Sequence, residues 1–114
     1  MPYNAQTSKL KRARNQRRAL LKLLAANIIL HKKICTTETK AKSVRPFVER
    51  LVSVAKKDSV ASRRYVARFL PKNVVTALHV VAAGYQKRNG GYTRIVKTAS
   101  RRRDNTRMAF IEFV

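Results

Sequence analysis

The stretch Asn89-Gly90-Gly91-Tyr92-Thr93-Arg94-Ile95-Val96-Lys97-Thr98 decides the fold. Its two adjacent glycines accept backbone angles that a side chain forbids, so they indicate the end of a polar loop. The residues after them are rich in β-branched and aromatic side chains, which favour a strand. A second apolar run over residues 108–114 predicts another strand. The two strands form a predicted β-hairpin whose loop carries Arg101, Arg102 and Arg103.

The net charge narrows the choice of partner. The chain has 114 residues, which predicts a single domain over 1–114. Its 27 Lys and Arg against five acids give a net charge of +22, and such a domain would repel itself unless it lay against a polyanion. Membrane surfaces usually bind one amphipathic helix, whereas these cations are spread along the chain. The composition therefore predicts a nucleic-acid partner and no membrane partner.

The compartment is predicted from what the sequence contains at its N-terminus and in its cysteines. The longest apolar run, residues 19–30, is interrupted by Lys22 and Asn27 and is too short to span a bilayer. Nothing at the N-terminus resembles a signal peptide. The single cysteine, Cys35, cannot form an internal disulfide, which indicates a reducing compartment. We predict the cytoplasm, with an organelle matrix as the alternative, and interpret Cys35 as a small buried apolar residue.

The N-terminal part predicts a basic arm and helix. Residues 1–7 are polar and without periodicity, and Ser8 can cap a helix that runs to about Leu30. No acid precedes Glu38, so the cations of this helix lack the cross-turn ion pairs of an ordinary solvated face. We predict that residues 1–18 contact nucleic acid. The candidate residues in this part of the chain are Lys9, Lys11, Arg12, Arg14, Arg17, Arg18 and Lys22.

Residues 31–36 can form a short strand or an extended linker, and a second helix follows. Thr37 can cap this helix, and Glu38 lies in its first turn, where the helix dipole favours an acid. Pro46 falls inside the pattern and is expected to kink the helix or tighten its start. The apolar positions recur at helical spacing and predict one buried face: Ala41, Val44, Val48, Leu51, Val52 and Ala55.

Two shorter helices are predicted before the hairpin. Ser59 begins the third, with Ala61, Tyr65 and Phe69 facing inward, and Asn73 can cap the fourth. The predicted fold class is therefore α/β (α+β): about four helices packed on a small sheet that includes the C-terminal hairpin.

Nothing in the sequence predicts catalysis, a metal, a cofactor or a small-molecule substrate. The acids show no paired-carboxylate spacing, and Asp58 and Asp104 are better interpreted as turn or cap residues. His31 and His79 have no acid or cysteine at metal-ligand spacing near them. The glycine pair precedes a strand rather than a helix, unlike a nucleotide-binding loop. The sequence therefore predicts that the protein is not an enzyme.

The distribution of cations favours folded RNA over DNA. A DNA reader normally has a compact recognition helix, whereas these cations occupy an arm, helices and a loop, an arrangement that suits phosphates approaching from several directions. A nucleoid-type DNA-binding protein remains the alternative. Tyr3, Tyr85 and Tyr92 are candidates for stacking on unpaired bases, although we favour the interpretation that Tyr92 packs on the helices.

Several blocks of the chain resemble one family. The blocks Thr36-Thr37-Glu38-Thr39-Lys40-Ala41-Lys42, Arg45-Pro46-Phe47-Val48-Glu49 and Gly90-Gly91-Tyr92-Thr93-Arg94-Ile95 are similar to the L-seventeen family of bacterial large-subunit ribosomal proteins. The resemblance covers residues 17–114 in order. The first and third blocks are specific when they occur together.

The resemblance implies a structural role on the large ribosomal subunit, bound to 23S-type rRNA near the exit of the peptide tunnel. It also implies neighbours of the L-thirty-two and L-twenty-two types. In the hairpin loop, Arg103 stands where the family commonly has glycine and Thr106-Arg107 replaces its usual Ala-Pro, which predicts additional phosphate contacts. Beyond the N-terminal candidates, the predicted RNA-binding residues are Lys40, Lys42, Arg63, Arg64, Arg94, Lys97, Arg101, Arg102, Arg103 and Arg107.

Overall fold

A computed structural model describes residues 13–114. Within this range four helices and three strands follow one another in the order α1 (Arg14–His31), β1 (Lys33–Thr37), α2 (Glu38–Ala55), α3 (Val60–Ala67), α4 (Lys72–Ala83), β2 (Thr93–Lys97) and β3 (Met108–Phe113). The predicted α+β fold class is confirmed.

The three strands form one antiparallel sheet in the order β1-β3-β2. The predicted hairpin of β2 and β3 is confirmed, and residues 33–37 pair as a strand rather than serving as a linker. In the register, Ile95 lies opposite Ile111, and Thr36 lies opposite Ala109. Ala109 and Ile111 are fully buried in the core. Through these two side chains, the central strand β3 anchors the hairpin in the core.

Helix α2 is the centre of the core. Thr37 caps it, since its hydroxyl accepts a hydrogen bond from the Lys40 amide at 3.3 Å, and Pro46 lies inside it. The six apolar positions predicted from their spacing are all buried, and α2 packs against the other three helices and all three strands. Every other element is therefore positioned relative to α2.

Two predicted helix starts are wrong. A helix continuous from Ser8 is excluded because Ala13 has an extended backbone, with ψ of 155°, and α1 begins at Arg14. Ser8 and residues 1–7 lie outside the described residues. Helix α4 begins at Lys72 with Pro71 rather than Asn73 at the cap, because the proline ring already fixes φ at −66°. Pro71 therefore lies at the N-cap position, directly before the first residue of α4.

Two side chains predicted to be buried are exposed. Ala61 faces solvent, because the capping box between Ser59 and Ser62 orients α3 so that Ser62 and Val66 are the buried residues. Cys35 is exposed because alternation along β1 places it on the face of the sheet opposite Thr36. The interpretation of Cys35 as a buried apolar residue is therefore wrong.

Candidate nucleic-acid interface

The start of β2 is held by two side chains one turn apart on α2. The Glu49 carboxylate accepts hydrogen bonds from the Tyr92 amide at 3.1 Å, the Thr93 amide at 2.8 Å and the Thr93 hydroxyl at 2.6 Å. Arg45 donates to the Thr93 carbonyl at 3.2 Å. Gly91, with φ of +63°, provides the left-handed backbone just before this clamp. These contacts fix the direction in which the hairpin leaves the core.

Tyr92 serves the fold and does not stack on bases. Its side chain is 1% exposed, and its hydroxyl accepts from the Lys56 ammonium at 3.0 Å and donates to the Arg88 carbonyl at 3.2 Å. The hydrogen bond from Lys56 lowers the pKa of the Tyr92 hydroxyl. The packing interpretation of Tyr92 is therefore confirmed, and the stacking interpretation is wrong.

Tyr85 is likewise occupied within the protein. It is half-buried, with its ring centroid 5.3 Å from that of Tyr92 and 6.3 Å from that of Phe113. Burial raises the pKa of the Tyr85 hydroxyl, which donates to the Val114 carbonyl at 2.6 Å. Tyr85 thus braces the hairpin against α4, and its stacking on unpaired bases stays a prediction because its ring is only half-buried. Tyr3 lies outside the described residues.

The hairpin loop closes on itself around Asp104. Arg101 donates through two nitrogens to the Asp104 carboxylate, each at 3.1 Å, and Thr106 donates its amide to the same carboxylate at 3.2 Å. The hydrogen bonds from Arg101 and then Thr106 hold the pKa of Asp104 far below its ordinary value. Asp104 is therefore a turn residue, as predicted. Arg102 and Arg103 are exposed, and neither forms an ion pair with any residue in 13–114.

The base of the hairpin and the start of α2 bring distant cations together. The Glu38 amide donates to the Arg107 carbonyl at 2.9 Å, and the Lys42 ammonium lies 3.1 Å from the Glu38 carboxylate. The hydrogen bond from Lys42 lowers the pKa of Glu38, and the charges of Lys97 and Arg107 lower it further. Lys42, Lys97 and Arg107 therefore form one cluster, which we call the hairpin-base cluster. Lys40, in the same first turn, is half-buried.

Two other predicted RNA-binding arginines form ion pairs with acids of the protein itself. On β2, an Arg94 nitrogen lies 2.6 Å from the Glu112 carboxylate, whose pKa the hydrogen bond from Arg94 lowers. On α3, Arg63 lies 2.7 Å from Asp58. The two arginine side chains remain exposed, but each already has an acid partner within the protein. Sequence reasoning did not foresee this, because Arg94 and Glu112 meet only through strand pairing.

The remaining predicted RNA-binding residues that the structure describes belong to α1 and α3. Arg14, Arg18 and Lys22 are exposed on α1 and Arg17 is half-buried, whereas Lys9, Lys11 and Arg12 lie outside the described residues. Arg63 and Arg64 line a groove of about 460 Å³ between α3 and α4, with Lys72 on its other wall. Lys72 is a further candidate that the predicted residues do not include, because the sequence predicts Asn73 as the cap of α4; its position directly after Pro71 is the signal that could have indicated it.

Most of the predicted RNA-binding cations that the structure describes thus fall into separate groups: α1, the α3–α4 groove, the hairpin-base cluster and the hairpin loop. Separated groups of this kind can neutralise phosphates that approach from different directions, which a single recognition helix cannot do. Residues 13–114 contain no cluster of His, Cys, Asp or Glu that could hold a metal ion. None of the described helices combines the length and apolarity needed to cross a membrane.

Comparison with known proteins identifies the family. The family model described as "Ribosomal protein L17" matches residues 20–114. A protein of Persephonella marina named "Large ribosomal subunit protein bL17" is 47% identical over 118 residues, covering 100% of this chain and 95% of the relative. Proteins with the same name from Fusobacterium nucleatum and a Hydrogenobaculum species are 42% and 44% identical, covering 100% of this chain and 100% and 99% of the relatives.

The chain therefore belongs to the ribosomal protein L17 family, as its motifs indicated. This is a family of structural ribosomal proteins, and the prediction that the chain is not an enzyme is confirmed by its membership.

Proposed function

We propose that this protein is a structural constituent of the large ribosomal subunit that binds and stabilises rRNA. The assignment to the large subunit rests on the names of its relatives, and the match covers all or nearly all of each cited relative. The separate basic groups on the described surface support an RNA partner rather than a protein partner alone. In this role the protein acts in the ribosome of the cytoplasm, and residues 1–114 work as one domain.

The mechanism is electrostatic and architectural. Cations of the hairpin loop and of the hairpin-base cluster neutralise phosphate repulsion where rRNA segments converge, and arginine forks match phosphate geometry in a bidentate fashion. The clamp of Glu49 and Arg45 on Thr93 fixes where the hairpin points. Because these contacts are all made within the protein, they hold the hairpin in place for binding and reduce the cost of association.

The finer placement rests on the resemblance to the family. On that ground we propose a position near the exit of the peptide tunnel, against 23S-type rRNA and beside neighbours of the L-thirty-two and L-twenty-two types. Arg17, Arg18, Lys40, Lys42, Arg63, Arg64, Arg94 and Lys97 are the proposed contacts at matching positions. Lys9, Lys11, Arg12, Arg14 and Lys22, with Arg101, Arg102, Arg103 and Arg107, extend the proposed surface.

The proposal that phosphate is the ligand rests on one observation. Arg102 and Arg103 are exposed on a closed loop and have no acid partner within residues 13–114. The test is a competition at physiological salt between large-subunit rRNA and duplex DNA of equal nucleotide concentration. We expect rRNA to displace DNA, because separated cation groups fit a folded RNA better than a uniform duplex. Equal competition would contradict rRNA specificity and favour the nucleoid-type DNA-binding alternative.

A further inference from the structure

A shallow aromatic pocket lies where α1, α2 and the turn after α3 meet. Its volume is about 390 Å³, and it is lined by Arg18, Leu21 and Lys22 of α1, Phe47 of α2 and Phe69. This volume falls in the range of about 300–1,000 Å³ typical of pockets for small organic groups. Phe47 and Phe69 are both only half-buried, although they pack against the core. Aromatic surface therefore remains open to a ligand.

The two rings are held in a fixed arrangement. Phe47 and Phe69 meet edge to face, with centroids 5.4 Å apart and an interplanar angle of 84°. The Tyr65 ring also contacts Phe69, with centroids 5.4 Å apart and an interplanar angle of 66°. Phe69 is thus held by two rings in the geometry that aromatic pairs prefer. A flat group entering the pocket would meet aromatic surface that needs no rearrangement.

The rim of the pocket is cationic. The Lys22 ammonium lies 6.0 Å from the centroid of the Phe69 ring, and the Arg18 side chain borders the same opening. Neither cation forms an ion pair with an acid anywhere in the described part of the chain. A ligand that combines a flat aromatic group with a negative charge complements both features. An unpaired nucleotide has this combination, since its base can stack while its phosphate binds the rim.

We propose that this pocket binds one unpaired base of the partner RNA, with Arg18 and Lys22 holding the adjoining phosphates. The proposal rests on the proposed RNA-binding function and extends it from phosphate contact to a base contact. The binding face then includes aromatic side chains that the charge pattern alone did not predict. It also gives the protein a preference for a bulge or a loop over a regular duplex, because only an unpaired base can leave its stack to enter.

The first test uses two RNA hairpins as probes: one carries a single bulged 2-aminopurine, and the other has the same stem without a bulge. Fluorescence and anisotropy report base insertion and affinity. For the full chain we expect tighter binding of the bulged hairpin. Phe69→Leu keeps an apolar side chain but removes the stacking surface, and it should weaken binding of the bulged RNA by about 5- to 150-fold. Binding of the regular stem should not change.

Phe110→Leu is the matched control. Phe110 is also half-buried and lies under a lysine, with the Lys33 ammonium 4.5 Å from its ring centroid, but it belongs to β3, away from this pocket. We expect this variant to retain the preference for the bulged RNA. The pocket assignment is overturned if the full chain binds both hairpins equally, or if the Phe69 and Phe110 variants lose the preference alike. Failure to bind either hairpin or rRNA would instead overturn the proposed function.

A second test does not depend on the folding of Phe69→Leu. A photo-crosslinking phenylalanine analogue introduced at position 47 reports what fills the pocket in assembled ribosomal particles. A crosslink to RNA at an unpaired nucleotide is the expected result. A crosslink to another protein, or to residues 1–12 of the same chain, would show that a peptide occupies the pocket and would overturn the proposal.

Discussion

The double substitution Arg102→Ala/Arg103→Ala tests the hairpin loop as a phosphate-binding element. Each phosphate that a protein neutralises contributes about 0.9 to the slope of log affinity against log salt on duplex nucleic acid, and about 0.7 on single strands. Neither arginine has an acid partner in residues 13–114, so both are available to phosphate. If each neutralises one phosphate, the slope falls in magnitude by roughly 1.4–1.8.

This change in slope has a directly measurable consequence. Between 50 and 200 mM salt, wild-type affinity for rRNA should fall by roughly 10³–10⁵ if about six to ten phosphates are neutralised. The affinity of the double variant should fall by about 7- to 12-fold less over the same interval. Filter binding of large-subunit rRNA across a salt series measures both slopes.

Folding should be unaffected, because both arginines are exposed and the loop is closed by Arg101 and Asp104. We expect the thermal midpoint to change by no more than about 2–3 °C, as for other surface substitutions. Lys57→Ala/Lys87→Ala is the matched control, since it removes two exposed lysines outside the proposed surface. Equal slopes for the two double variants, or a large loss of folding with intact rRNA binding, would refute the reasoning.

Three further predictions concern the contacts that position the surface. Glu49→Gln should lower the free energy of unfolding by about 1–3 kcal/mol in chemical denaturation, because its one acceptor oxygen can keep the two hydrogen bonds from Thr93 while its NH2 group faces the Tyr92 amide and leaves that donor unpaired. Arg101→Ala should raise the pKa of Asp104 toward its ordinary value in an NMR titration, since the hydrogen bonds from Arg101 are the main cause of its depression. Cys35 should react with a maleimide in the native protein as fast as in a denatured control, because it is exposed.

Each of these predictions has a contradicting result. Glu112→Gln weakens ion pairs with the exposed side chains of Arg94 and Lys33, should destabilise the fold less, and is the control for Glu49; equal destabilisation by the two variants would refute the clamp. An unchanged Asp104 titration in Arg101→Ala would show that the loop is not closed by this pair. Strong protection of Cys35 in the free protein would contradict its position on the open face of the sheet.

The lowered pKa of Asp104 also predicts how the stability of the fold depends on pH. Its folded-state pKa is depressed, so its stabilising effect on the loop is present above the unfolded pKa and is lost as pH falls through the folded value. The pKa values of Glu38 and Glu112 are depressed as well, by Lys42 and Arg94 first. All three carboxylates therefore favour the folded state at neutral pH, and acidification removes these contributions.

Local patterns were sufficient to predict the parts of the fold that depend on near neighbours in sequence. The six buried positions of α2 follow from helical spacing, and the Thr37 cap follows from its hydroxyl. The hairpin follows from the two β-rich runs on either side of a polar loop. In each case the structure depends on residues close together in the sequence or on the regular spacing of apolar residues.

Contacts between distant residues were not predictable in this way. The sequence around Glu49 contains nothing that indicates hydrogen bonds to residues 92 and 93, and these contacts arise only when α2 packs on the hairpin. Cys35 was misassigned because the exposed face of β1 is set by its pairing with β3. The pairing of Arg94 with Glu112 depends on strand register for the same reason.

Only part of the candidate RNA-binding surface could be predicted from the sequence, for a related reason. Composition identified the cations, but it did not identify which of them the fold would pair with acids, such as Arg63 with Asp58. It also gave no indication that Phe47, Phe69 and Lys22 would form a pocket, because they come from three separate segments. Net charge therefore predicts the class of partner, whereas the fold determines the geometry of contact.

The central claim, that this protein is a built-in component of the large ribosomal subunit, is tested most directly by sedimentation. A lysate is separated on sucrose gradients at low and then moderately high salt, and the protein is detected in each fraction. We predict co-migration with the large subunit that survives the higher salt, because many phosphate contacts are made at once on a preformed surface. Migration with DNA, or free of particles at both salt concentrations, would contradict the claim.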